Sequence, residues 1–397
     1  MGRQPLEVRA WLALAALLCA TLMAGAQEHP DTEQPVGGPV DISRFDMVME
    51  GVLTRWAVPG GALVLARDGQ IVLARGYGWA RVDRRLPFLP TTPLCLASVS
   101  KSITAAGILR LVDLGRLRLD DRLYDVLGRP RLPARPADER IYQITVRQLL
   151  HHSGGWEREV VYDRRLLNSL ARKGPVPFEK LLLVALTRPL DYAPGTEAHY
   201  SNFQYAVLKE VVGHASGRPY ADFIQAEVLR PMGITDAVME GSHGHYQAGE
   251  AWRYDSETWK PFPGGRPAYP LTGDMGSWVA SARDMALFLT AMDGSRMKFL
   301  SPESQQAMLA PPPPPLPERP NGTWFGLGWD RVYFENGRPG FSKNGAVAGV
   351  HTLVEHLPSG VDFVIFLNGS GLSQEGPPRA LAAAARQVRG TIRALWP

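Results

Sequence analysis

The chain predicts an α/β fold of the α+β type, in which an antiparallel sheet flanked by helices is interrupted by a mostly helical lobe. Two observations carry this. β-rich pairs lie near both ends of the chain, and the sequence between them is mostly helical and loop-like. Gly61 to Arg67 and Gln70 to Arg75 flank Asp68-Gly69, a dipeptide that supplies the positive backbone angles of a tight hairpin. His351 to Leu357 and Val361 to Leu367 flank Pro358-Ser359-Gly360 in the same way. A last helix from about Arg379 to Trp396 can cover one face of the sheet, while Phe203 to Ala215 and Tyr220 to Leu229 are helical in the middle.

The expected organisation follows in chain order. Residues 1–26 carry Arg3 and Arg9, an apolar run from Trp11 to Met23 and the small-residue stretch Ala24-Gly25-Ala26, the signature of a secretory signal peptide. That run is shorter than the roughly 20 residues a membrane span needs, so no stable membrane span is expected. Leu18 before Cys19 argues against a lipid attachment box. A flexible lead-in follows over 27–40, rich in Pro, Gly, Glu and Asp. The functional domain takes 41–397, with a sheet lobe about 41–114 and 276–397 and a helical lobe about 115–275; the site is expected in the cleft between lobes. Pro311 to Pro315, with Pro317 and Pro320, predicts a rigid connector over the surface.

Composition narrows the function. With 397 residues and 45% apolar content the chain can bury a large core. Its net charge of +4 is spread over scattered arginines among 39 acids, which points to solvated surface and no nucleic-acid partner. Beyond the signal segment only Cys95 remains, so no internal disulfide is possible, and a buried thiol is its expected role. The predicted location is periplasmic or secreted.

Ser98-Val99-Ser100-Lys101 opens an apolar helix. Positions three apart share a helical face, so the Lys101 amine can reach the Ser98 hydroxyl and activate a poor nucleophile. N–H groups at a helix start favour the oxygen that becomes negative. Chance alone supplies roughly 0.3 such matches in a chain of this composition, and Ser295-Arg296-Met297-Lys298 is a second one. It follows Asp293-Gly294 in a turn, which leaves Ser98 as the candidate. Tyr200-Ser201-Asn202 adds a second group: in an extended segment Tyr200 and Asn202 point the same way, Asn202 able to bind a substrate carbonyl or hold Lys101, and Tyr200 a proton shuttle. A phenol ionises near pKa about 10, so neighbouring cations are needed to favour the phenolate, and Lys101 and Lys343 are the obvious suppliers. In Lys343-Asn344-Gly345, Gly345 lets a substrate lie against a strand edge, and the Ala346 N–H is a second oxyanion donor beside that of Ser98.

These three motifs, in this order, resemble those of penicillin-recognising serine enzymes: class C β-lactamases, D-alanyl-D-alanine peptidases and related esterases. Val58-Pro59-Gly60-Gly61, the stretch Leu149 to Gly155 and the stretch Gly276 to Met285 look similar too, so the likeness spans about residues 41–370. The resemblance implies a β-lactamase-like fold and no cofactor. It also implies Ser98 as nucleophile, Lys101 and Tyr200 sharing the proton work, Asn202 and Lys343 binding a small-molecule or peptide substrate, and an acyl-enzyme cleared by water. Asn344 departs from the Thr usual in the lactamase and peptidase branches, and Glu159 brings a negative charge where class C enzymes carry an amide. A β-lactam, a D-amino peptide and a small ester all stay open, as does a non-catalytic or slowly deacylating penicillin-binding sensor or scaffold. The chain has no Gly-x-Ser-x-Gly and no His-Glu-x-x-His, and His243-Gly244-His245 lacks a following acid, so no metal site is expected. His151, His152 and His199 are expected to serve packing or support.

Overall fold

Helix α1 (Ser43–Arg55) buries Phe45, Met49, Val52 and Leu53, a three-and-four spacing that turns one face toward the sheet. The expected first hairpin follows as β1 (Gly60–Arg67) and β2 (Gln70–Arg81), six residues longer than anticipated, then β3 (Leu86–Pro87) and β4 (Leu94–Cys95). A 3₁₀ turn, Ala97–Val99, leads into α2 (Ser100–Asp113). The helical middle comprises α3 (Leu123–Leu127), α4 (Val146–Leu150), α5 (Phe178–Leu186), α6 (Asn202–Ser216) and α7 (Tyr220–Ile224), the last continuing as a single π turn. Short strands β5 (Val238–Met239), β6 (Tyr254–Asp255) and β7 (Trp278–Ala280) come next, then α8 (Ala282–Met292) and α9 (Pro302–Leu309). The chain finishes with β8 (Trp324–Gly326), β9 (Trp329–Glu335), β10 (Arg338–Val347), β11 (Val350–His356), β12 (Val361–Leu367), β13 (Gly369–Ser370) and α10 (Arg379–Leu395).

The computed structural model describes residues 43–128, 135–157, 178–240, 246–255, 258–262, 277–317, 319, 321–370 and 379–396. The signal-like segment 1–26, the lead-in 27–40, Glu159 and His243 to His245 lie outside them. No helix among the described residues is long and apolar enough to cross a membrane.

Eight strands form one antiparallel sheet in the order β3-β2-β1-β12-β11-β10-β9-β8. The two end hairpins therefore meet at its centre, where Leu63 pairs with Ile365 and Val64 with Val364. Period-two alternation divides their side chains between two cores. Ala62, Val64, Val364 and Phe366 pack against the central helices, whereas Leu63, Leu65, Phe363 and Ile365 pack under α1 and α10. Helix α10 lays Leu381, Ala384, Ala385, Val388 and Ile392 on that outer face, and its Arg389 forms a two-pronged ion pair with the buried Glu355 of β11, at 2.8 and 2.6 Å.

At one end of this sheet Asp293, His356 and Asp362 converge, the imidazole Nδ1 lying 2.8 Å from Asp362 and 3.3 Å from Asp293. These are the residues best placed to hold a metal ion among those described, yet a proton shared on Nδ1 already satisfies both carboxylates. Burial opposes the charge on His356, but the hydrogen bonds to Asp293 and Asp362 win and raise its pKa to about 9. A base raised in the folded state stabilises fully below its unfolded value of about 6.5, and that contribution fades as pH climbs through about 9. We expect the charge on His356 to favour the folded state at pH 7 and to have lost that effect by about pH 10. Urea unfolding of the wild type and of His356→Asn at the two pH values checks this, since a variant with the same pH slope as the wild type contradicts it.

Candidate active site

The loop carrying Ser98 is built before the helix begins. Ala97 holds a left-handed φ of 49°, a conformation that costs a non-glycine residue about 1–3 kcal/mol. Surrounding bonds hold it there. Leu96 N–H donates to the Trp278 carbonyl at 2.8 Å, Thr352 Oγ1 donates to the Leu96 carbonyl at 2.8 Å, and Ser277 Oγ donates to the Ala97 carbonyl at 3.3 Å. Ser100, the first residue of α2, completes the brace: its hydroxyl lies 2.9 Å from Ser277 Oγ and accepts the Trp278 N–H at 2.9 Å. Ser98 thus lies in a 3₁₀ turn two residues ahead of α2 and is half-buried.

Lys101, one helical turn on, brings its Nζ to 3.3 Å from Ser98 Oγ, and the same amine donates to Asn202 Oδ1 at 2.6 Å. The Tyr200 hydroxyl lies 2.7 Å from Ser98 Oγ. Its ring centroid is 5.1 Å from Lys101 Nζ and 4.7 Å from Lys343 Nζ, so both amines sit beside the phenol as expected. Tyr200 and Asn202 reach the site differently from the extended pair anticipated: Ser201 caps α6 through its hydroxyl, which accepts the Gln204 N–H, and Asn202 is the first helical residue.

The third motif lies inside β10 and not ahead of a strand. Lys343 is buried and its amine is bonded to Asp330, while Asn344 N–H donates to the same carboxylate at 3.3 Å. Burial lowers the Lys343 pKa against the opposing pull of Asp330. The Lys343 charge is thus offset by Asp330, a residue no local motif announced. Gly345 has a second role besides the one expected. A Cβ there would stand 2.3 Å from the Leu96 carbonyl, 2.4 Å from Thr352 Oγ1 and 3.1 Å from Ser98 N, so the missing side chain lets the Ser98 loop lie against β10. Antiparallel alternation, which sends Asn344 N–H out of the ladder to Asp330, turns Ala346 N–H out on the same edge. Ala346 is exposed.

Beside Tyr200 opens a cleft of about 550 Å³ lined by Glu157, His199, Tyr200, Leu316, Pro317, Arg319 and Phe325 among others. The Pro-rich stretch therefore supplies a wall and is more than a surface connector. Arg319 is stacked on Phe325 with its guanidinium 3.7 Å from the ring centroid. Sequence reasoning missed Asp330, Glu157, Arg319 and Phe325, none of which sits in a motif. Cys95 is fully buried as expected, and burial pushes its thiol up to about 11. Its surroundings are not wholly apolar, since Glu240, itself paired to Arg253, is 3.9 Å away.

Comparison with known proteins agrees with this architecture. A D-aminopeptidase of Gluconobacter oxydans (strain 621H) is 25% identical over 352 residues, which cover 86% of this chain and 62% of that protein; the chain thus spans under two thirds of this relative. The octameric penicillin-binding protein homologue from Pyrococcus abyssi superposes with a TM-score of 0.71 at 24% identity, over 88% of this chain and 77% of that one. D-amino acid amidase from Ochrobactrum anthropi SV3 gives a TM-score of 0.70 at 19% identity, over 89% and 99%. The beta-lactamase family model matches residues 45–387, a span that takes in the Ser98 loop, the start of α6 and β10, and the chain belongs to the beta-lactamase family of serine hydrolases.

Proposed function

We propose that this protein is a secreted amidase or peptidase that forms an acyl-enzyme on Ser98, with a D-aminoacyl group as the acyl portion. The observation that carries the reading is the Ser98 hydroxyl held between Lys101 Nζ at 3.3 Å and the Tyr200 hydroxyl at 2.7 Å, beside an open cleft. Lys101 and Tyr200 take the Ser98 proton as Oγ attacks the carbonyl carbon. The oxyanion accepts from Ser98 N–H and Ala346 N–H, and Asn202 and Lys343 order the surrounding charge. The protonated pair then returns its proton to the leaving nitrogen, and water, activated by the same pair, hydrolyses the ester.

Two charges favour a D-aminoacyl substrate over a β-lactam. Lys343 is committed to Asp330, so the carboxylate of a β-lactam gains little from it. Glu157 lines the cleft and offers a carboxylate to a substrate ammonium. The relationship to a D-aminopeptidase supports the same choice. We expect kcat/KM for a D-alanine anilide to exceed that for a chromogenic cephalosporin by at least about a hundredfold; comparable values would refute the preference. Glu157→Gln is expected to raise KM for the anilide roughly tenfold with kcat unchanged, and to leave neutral esters alone. An equal effect on both substrates removes Glu157 from substrate recognition. Export through residues 1–26 is checked by the mass of the protein recovered outside the cytoplasm, which should begin after Ala26.

A further inference from the structure

Tyr200 poses a positional problem. It is 37% exposed, follows a loop, and yet holds its hydroxyl against Ser98. An exposed phenol on a loop samples several rotamers unless its backbone and ring are both constrained. One residue constrains both. The carbonyl of His152 accepts the His199 N–H at 3.0 Å, and its Nδ1 accepts the Ser201 N–H at 3.1 Å, so the residues before and after Tyr200 hang from the same histidine. The His152 ring also lies against the Tyr200 ring, with centroids 4.7 Å apart, and is backed by Tyr205 at 4.8 Å and Phe325 at 5.0 Å. The arrangement needs a special backbone: His152 has a left-handed φ of 60° at the end of α4, which turns its carbonyl and ring toward the same segment.

We propose that His152 is a positioning residue for the active site: it clamps the chain on both sides of Tyr200 and fixes the phenol oxygen beside Ser98, without touching the nucleophile. Accepting at Nδ1 requires a neutral ring with its hydrogen on Nε2. The surroundings keep it so. Burial, then the charges of Lys343 and Lys101, hold the His152 pKa well below the usual histidine range. The inference rests on Tyr200 acting on Ser98 as proposed above, and it assigns the geometry of that pair to a residue outside the three motifs.

The test compares His152→Ala and His152→Asn, each alone and with Tyr200→Phe. Asn suits a left-handed backbone and places Oδ1 where Nδ1 stood. We expect His152→Ala to lower kcat on the D-alanine anilide about thirtyfold with KM within about threefold. His152→Asn should recover to within about fivefold of wild type. In the Tyr200→Phe background, His152→Ala should cost less than about twofold more, because the group it positions is already gone. A folded His152→Ala with wild-type kcat overturns the proposal, as does a thirtyfold loss that persists on Tyr200→Phe. If His152→Ala does not fold, His152→Asn decides alone, and a loss as deep as that of Tyr200→Phe overturns it. In every case fluorophosphonate labelling of Ser98→Ala is measured alongside: labelling there refutes the active-site reading itself, whereas an inert Ser98→Ala confines the failure to His152.

Discussion

Ser98→Ala should eliminate covalent labelling by a fluorophosphonate and lower turnover of every acyl substrate by on the order of 10⁴-fold or more, while Ser295→Ala behaves as wild type. Both serines precede a lysine by three residues, so spacing alone does not separate them. Their surroundings do. Ser98 meets Lys101 and Tyr200 at hydrogen-bond distance on a braced loop. Ser295 lies beyond the end of α8 in an exposed turn, where its N–H is held by Asp293 at 2.7 Å and its hydroxyl faces the Thr290 carbonyl at 3.4 Å. Lys298 is exposed and off any helix, so nothing fixes it over Ser295. Intact-protein mass spectrometry of the two variants decides the matter: one adduct on Ser295→Ala and none on Ser98→Ala is the expected pattern, and adducts on both would end the assignment of Ser98.

The parts of this site that were legible in the sequence are those encoded locally. Ser98 and Lys101 share a helical turn, and Asp68-Gly69 and Pro358-Ser359-Gly360 specify their hairpins through turn chemistry. The rest depends on which distant elements become neighbours. Thr352 reaches Leu96 across 256 residues and Ser277 reaches Ala97 across 180; Thr352 has no pattern of its own, and the family-like stretch that holds Ser277 does not say which backbone its hydroxyl meets. Asp330 is one acid among 39, and its bond to Lys343 exists because β9 and β10 are adjacent in the sheet. The motif alone therefore shows the Lys343 cation and not the carboxylate that pairs with it. The extended Tyr200-x-Asn202 reading missed the backbone for a local reason: Ser201 caps α6, so Asn202 is already helical, although both side chains still reach the Ser98–Lys101 pair.

Gly345 links sheet to chemistry, and Gly345→Ala is the second change expected to have a large effect. The residue is in an ordinary extended strand, so no backbone preference demands glycine; the demand is purely steric. An added Cβ meets the Leu96 carbonyl at 2.3 Å and Thr352 Oγ1 at 2.4 Å, the two atoms whose own 2.8 Å hydrogen bond ties the Ser98 loop to β11. Neither can yield alone. Thr352 is fully buried, and the Leu96 carbonyl belongs to the strained turn whose Ala97 is held left-handed by Ser277. Relief must come from moving the loop off β10, which breaks the Thr352 bond and carries Ser98 away from Tyr200 and from the Ala346 N–H. Overpacking of this kind costs about 1–3 kcal/mol of stability, and a shift of about 1 Å at the reacting oxygen costs about a hundredfold in rate. We therefore expect Gly345→Ala to fold with a lowered unfolding midpoint and to label with fluorophosphonate at least about a hundredfold more slowly. Thr352→Ser keeps the hydroxyl and should label at the wild-type rate, which separates loss of the bond from loss of a methyl group. A Gly345→Ala protein that labels as fast as wild type would show that β10 does not set the position of Ser98.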